Sequence, residues 1–168
     1  PQAQPASECA WQAAIPTFNC PIGVPSLSVS GGAFYTVLAV GVLSGTPALE
    51  PLPLTDNNTA PASGKAKLRL VHAAAKVPGT NGAVDVYITA PGADISGVSA
   101  SISGFKYKGA SPYKEVAAGD YQVRITLPGT KTVAIDTGKA TLAAGKIYTG
   151  IALDTTGSTF QAVLLTDN

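Results

Sequence analysis

Methionine is absent from this sequence, histidine occurs once and cysteine only twice. With His72 as the sole imidazole, any Ser-His-Asp or Cys-His triad must pass through that residue, and one His with two Cys far from it cannot build a zinc site. Charge is scarce too: Asp, Glu, Lys and Arg make up 12% of 168 residues, and the formal net charge is +1. The basic residues are spread singly, with no Lys/Arg cluster interleaved with aromatics, so neither nucleic acid nor an acidic membrane surface is an expected partner. Long hydrophobic runs are missing as well. The most apolar stretch, Ala33 to Leu43, falls short of the about 20 residues that a membrane helix needs and reads as a buried strand. The lack of Met and the start on Pro1 fit a processed chain and a trimmed piece of a longer one equally well, so the absence of a signal peptide says nothing.

What is present is 45% hydrophobic residues with 18 Gly and 13 Pro. Low charge with abundant Ala, Thr, Ser, Val and Gly is the composition of extracellular β-proteins rather than of cytosolic helical enzymes. Cys9 and Cys20 sit close together in a Pro-rich segment and form neither a CxxC nor a CxxCH motif, so redox and haem-attachment roles fail on spacing. A disulfide closing that loop would contribute roughly 3 kcal/mol and place the protein outside the cytosol; two unpaired buried thiols are the alternative.

Period-two alternation dominates the second part of the chain. In "KLRLVHAA" Leu68, Leu70 and His72 share one face, with Lys67 and Arg69 on the other. In "AVDVYIT" Val84, Val86 and Ile88 oppose Asp85, Tyr87 and Thr89, and "DYQVRITL" sets Tyr121, Val123, Ile125 and Leu127 against Gln122, Arg124 and Thr126. "TVAID", "IYTGIAL" and "FQAVLL" add further strands, and turn signals such as "VPGTNG", "APGAD", "LPGT" and "TTGS" separate them. No window shows a helical period of ten or more residues. The expectation is an all-β protein, an immunoglobulin-like antiparallel β-sandwich.

The chain also repeats itself. "GGAFYTVLAVGVLSGTPALEPLPLTDN" (Gly31 to Asn57) and "AAGKIYTGIALDTTGSTFQAVLLTDN" (Ala143 to Asn168) share a Tyr-Thr strand, a loop and an apolar strand into Thr-Asp-Asn. Tyr35 aligns with Tyr148 and Asp56 with Asp167, so one unit is a little over a hundred residues. The expected organisation is a partial sandwich repeat over residues 1–57 carrying the Cys9–Cys20 loop, a polar linker over 58–64, and a complete repeat over 65–168. Where the second copy reads Gly150, Ile151, Ala152, Leu153, Asp154, Thr155, the first reads Val37, Leu38, Ala39, Val40, Gly41, Val42. The first copy is thus apolar on both faces, and its own unit lacks the strands that would normally cover it.

The segments "LRLVHAAAKVPGTNGAVDVYI", "YKEVAAGDYQVRI", "TLAAGKIYTGIAL" and "FQAVLLTDN" resemble, in that order, the signature of a secreted prokaryotic family, domain of unknown function 4397. The likeness covers residues 65–168 in full and 27–57 as a partial unit whose Val-His-Ala and Asp-Val-Tyr strands are missing. It implies a β-sandwich, often in tandem copies, on exported or cell-surface proteins, and it implies no assigned chemistry.

Catalytic signals are few. His72 lies on the face of Leu68 and Leu70, where a neutral imidazole bonded to a backbone carbonyl or a nearby hydroxyl is the ordinary state. No G-x-S-x-G elbow is present, and the Ser-rich "GVSASISG" reads as a loop or weak strand. Asp85, Asp94, Asp120, Asp136 and Asp154 are scattered outside any calcium-loop pattern; Asp85 and Asp120 are expected to face solvent or cap turns. No enzymatic activity, cofactor or metal is expected. Asn57-Asn58-Thr59 matches a glycosylation sequon, and Tyr87, Tyr107 and Tyr113 could form a sugar-binding platform.

The unpartnered repeat points instead to self-association. The expected assembly strand is Phe34, Tyr35, Val37, Leu38, Val40, Val42 and Leu43. Its cover could be the N-terminal segment, the chain's own complete sandwich, a neighbouring subunit in a head-to-tail contact, or strands upstream of Pro1. The leading expectation is an exported structural protein, plausible as the subunit of an extracellular filament. The alternative is a monomeric extracellular binding or adhesion module for glycan or cell-wall polymer.

Overall fold

The computed structural model describes residues 17–20, 24–42, 46–78, 82–155 and 159–167, with side chains from Ser28 onward. The chain divides into two compact units, Pro1–Asn57 and Asn58–Asn168. Among the described residues every extended element is a β-strand, and none forms a helix.

In the first unit, β1 (Thr17–Cys20) pairs antiparallel with β2 (Val24–Ser28), and β3 (Phe34–Val40) with β4 (Glu50–Asp56). β3 stops at Val40 because Gly41 takes a φ of 106°, and a Cβ placed there would lie 2.2 Å from the Ala48 carbonyl oxygen. Only glycine can make that turn. Beyond it Val42 donates its N–H to the Pro47 carbonyl at 2.9 Å.

The second unit contains eight strands in two four-stranded sheets: β5 (Lys65–His72), β6 (Val84–Thr89), β7 (Ile102–Phe105), β8 (Lys114–Ala117), β9 (Gly119–Thr126), β10 (Val133–Leu142), β11 (Ile147–Asp154) and β12 (Phe160–Thr166). One sheet runs β10-β9-β6-β7 and the other β12-β11-β5-β8. The sandwich is antiparallel except for β5 and β11, which run parallel from Ile147↔Lys67 to Ala152↔His72. Between the sheets lie Leu68, Leu70, Val84, Val86 and Ile125, inward positions that alternation assigns, together with Ile135, Leu142 and Tyr148.

The outward positions differ from expectation. Lys67, Arg69, Asp85, Tyr87, Arg124 and Thr126 are all buried. Connecting segments lie over the sheets and convert these polar faces into a second, hydrogen-bonded layer. The Tyr113 ring lies against Arg69. The 90–101 loop, with buried Ile95, bonds to β6 and β9 through Ser101 N–H to Val86 O (2.7 Å) and Gly92 N–H to Gln122 Oε1 (2.7 Å). Residues 58–64, read from the sequence as a linker, are fastened to this unit: Thr59 O accepts from Lys67 Nζ, and Gly64 O from Ala118 N–H at 3.0 Å.

Candidate functional site

The two copies of the repeat fold into the same hairpin in the same register. β3 and β4 pair Tyr35↔Thr55 and Val37↔Pro53; β11 and β12 pair Tyr148↔Thr166 and Gly150↔Leu164. In the first copy Thr36 Oγ1 donates to Asp56 Oδ2 at 2.8 Å, and in the second Thr149 Oγ1 donates to Asp167 Oδ2, also at 2.8 Å. The duplicated Tyr-Thr and Thr-Asp words therefore encode a cross-strand clamp at the end of each hairpin.

In the second unit the clamp is buried within a larger network. Arg69 donates to Thr149 Oγ1 through Nε (3.2 Å) and Nη2 (3.0 Å), and the Tyr113 hydroxyl donates to Asp167 Oδ2 at 3.0 Å. The guanidinium carbon stands 4.6 Å from the centre of the Tyr113 ring, a cation–π contact. Burial pushes the Tyr113 phenol up, the Thr149 hydroxyl opposes the rise and the Asp167 acceptor adds to it. Sequence reasoning missed this cluster, although the repeat itself was its signal.

The surroundings of the two hairpins differ. β11 is flanked by β12 on one side and β5 on the other, whereas β3 has only β4 beside it among the described residues. The face of β11 that carries Tyr148 and Ala152 packs into the sandwich core. The equivalent face of β3 carries Tyr35, Val37 and Ala39; Val37 is 46% exposed and Ala39 is exposed as well. Val37 stands where the complete repeat has Gly150, and a Cβ on Gly150 would lie 2.8 Å from Leu70 Cδ2. A strand bearing a leucine at the Leu70 register would have to shift to sit beside β3. Of the remaining assembly residues, Phe34 is 59% exposed, Tyr35 and Leu38 are half-buried, and Val40 is buried at 2%. Val42 lies beyond the strand in an isolated bridge to Ala48, and Leu43 is outside the described residues. The Cys9–Cys20 pairing also lies outside them: Cys9 is not described, and Cys20 only by its backbone in β1.

A cavity of about 150 Å³ lies inside the second unit, lined by Leu68, Leu70, Val86, Tyr121, Val123 and Leu142, with Ala140 of β10 and Leu164 of β12 at its edge strands. Leu164, which lines the cavity from β12, is itself 41% exposed.

His72 is buried at 1%. Its Nε2–H donates to the Gly82 carbonyl at 2.7 Å, and Nδ1 accepts from the Ala74 N–H at 3.3 Å, which assigns the tautomer. Desolvation holds its pKa below the ordinary histidine value against the opposing Gly82 bond and the Asp154 charge. Both nitrogens are committed to the backbone, so the imidazole is a packing group of the core. Asp85 is buried rather than solvent-facing, and ties strand β7 to the turn at Gly129. It accepts from Gly104 N–H (2.8 Å), Gly129 N–H (2.8 Å) and Ser103 Oγ (3.0 Å). Desolvation would raise its pKa, but those bonds and the Lys131 charge lower it on balance. Asp120 is on the surface, bonded to Lys139 and Thr141. Among the described residues no three His, Cys, Asp or Glu side chains group as metal ligands.

The three tyrosines form no open platform. Tyr87 is buried beneath Lys131, whose Nζ lies 4.3 Å from the ring centre. Tyr107 is half-buried at 6.2 Å from the His72 ring, and Tyr113 belongs to the Arg69 network.

Comparison with known proteins places these units in context. The family model described as domain of unknown function (DUF4397) matches residues 17–87 and again 77–168. No curated protein matches. Among solved structures, the C-terminal domain of AlgF from P. aeruginosa is similar at 14% identity, over 61% of this chain and 98% of that one, with a TM-score of 0.39.

Proposed function

This chain belongs to the DUF4397 family, and from that premise we propose that it is an exported structural protein that self-associates through β-strand complementation, the subunit of an extracellular filament. The family assigns no chemistry, so the reading rests on geometry. One observation carries it: β3 keeps the hairpin and the Thr–Asp clamp of the complete repeat, yet the face equivalent to a sandwich interior is exposed at Val37 and Ala39. An apolar strand with an open edge is a template for another chain. The composition and the resemblance to secreted proteins favour a place outside the cytosol, and the commitment of the sole histidine to the core favours a non-catalytic role.

Light scattering and negative-stain microscopy of the purified full chain test the proposal. Concentration-dependent growth into linear particles is the expected result. A monodisperse monomer across the micromolar to millimolar range overturns it. With the tyrosines engaged inside the fold, the alternative glycan-binding module finds no favouring observation.

A further inference from the structure

We propose that the acceptor for β3 is the outer edge of β12 in the sandwich unit of a second copy, so that subunits join head to tail as β8-β5-β11-β12 continued by β3-β4 of the next chain. This deepens the self-association reading and rests on it. Four observations converge on β12.

The first is which edges are open. Edge strands avoid unwanted pairing through charges, prolines, bulges or shortness. β8 carries Lys114 and Glu115 in four residues, β7 has four residues, and β10 carries Asp136 and Lys139 with two register shifts. β12 reads Phe-Gln-Ala-Val-Leu-Leu-Thr without a charge, proline or register shift, and Leu164 and Leu165 on it are 41% and 40% exposed. β3 is equally unguarded.

The second is the contrast between the copies. Asp167 N–H donates to Ile147 O, so alternation points the amides of Ala162 and Leu164 away from β11. The equivalent positions in β4 are Pro51 and Pro53, opposite Ala39 and Val37 as Ala162 and Leu164 stand opposite Ala152 and Gly150. Proline offers no N–H to a further strand. The same hairpin is thus blocked on its outer edge in the first unit and open there in the second. A β12-to-β3 joint leaves β4 as a closed outer edge.

The third is shape. Leu164, on the edge where a strand would be added, lines the cavity and is 41% exposed. The exposed face of β3, with Val37 and Ala39, supplies apolar side chains to cover that leucine.

The fourth is charge. Residues 1–57 contain three carboxylates (Glu8, Glu50, Asp56) and no Lys, Arg or His, while residues 58–168 hold all 11 Lys and Arg against seven carboxylates, a formal −3 against +4. Units of opposite sign favour joining one copy's first unit to another's second over joining like to like. Such a contact is heterologous, and without closure it propagates as a filament.

Hydrogen–deuterium exchange on the full chain, dilute and assembled, tests the assignment. Peptides covering residues 34–40 and 160–166 should both gain protection on assembly. The double substitution Ala162→Pro with Leu164→Pro, which copies β4 onto β12, should raise the critical concentration at least about tenfold, with the circular dichroism spectrum retained. Assembly in which 34–40 is protected and 160–166 is not overturns the β12 acceptor and leaves the self-association reading intact. Protection of both segments in a chain that stays monomeric overturns the joint between copies in favour of one within the chain. A monomer with neither segment protected sinks both ideas. The exchange result decides the matter even if the proline variant fails to fold.

Discussion

His72 is neutral in the fold because burial disfavours the imidazolium and both ring nitrogens already have backbone partners. Its folded pKa lies below the unfolded value of about 6.5, so the unfolded chain takes up the proton first as pH falls. The sandwich unit should therefore hold its full stability above that value and lose it progressively as pH drops toward the lower folded value. Thermal unfolding at pH 7.5, 6 and 5 should show a falling midpoint, and His72→Phe should flatten that slope. The same substitution orphans the Gly82 carbonyl and should cost about 1–3 kcal/mol at neutral pH. Asp85 acts further down the scale: its lowered pKa makes its contribution present above about pH 4 and lost below it. Asp85→Ala, which leaves the Gly104 and Gly129 amides and the Ser103 hydroxyl without their acceptor, should cost on the order of 3 kcal/mol. Urea denaturation at pH 7 measures that directly.

At the scale of the element, the duplicated hairpin offers a comparison within one molecule. Thr149 is fully buried between Arg69 and Asp167, and Thr149→Val takes one hydrogen-bond partner from the guanidinium and one from the carboxylate at an expected cost of about 2 kcal/mol. Thr36 makes the same bond to Asp56 in a partly buried setting, so Thr36→Val should cost less, about 0.5–1 kcal/mol. Chemical denaturation of the two variants checks the ordering; equal losses would mean that the Arg69 network adds nothing to the clamp. The motif was legible in the sequence as a repeat, but its purpose was not. Tyr-Thr and Thr-Asp lie about 20 residues apart in each copy, and only the register brings hydroxyl and carboxylate together.

For the whole molecule, the division of charge makes assembly salt-dependent. With −3 on one unit and +4 on the other, raising ionic strength from 0.02 to 0.5 M shortens the Debye length from about 20 Å to about 4 Å. The assembly rate should fall accordingly. Joining apolar edges without help from charge would instead give a rate that holds or rises with salt. Turbidity or light scattering against time at several salt concentrations separates the two.

The sequence alone determined the fold class, since period-two alternation broken by Gly and Pro turns admits little besides packed sheets, and it determined that one hairpin occurs twice. It placed Leu68, Leu70, Val84, Val86 and Ile125 in the core because alternation is a local property of each strand. The opposite faces were decided by tertiary structure. Lys67, Arg69, Asp85, Tyr87 and Arg124 alternate as solvent residues do, yet connecting segments fold over them, and which loop covers which strand is set by contacts distant in sequence. The Arg69–Thr149–Asp167 network, the role of Asp85 and the cavity lined by Leu164 all belong to that second kind. They depend on bringing together residues 18 to 80 positions apart, a closeness that no local pattern encodes.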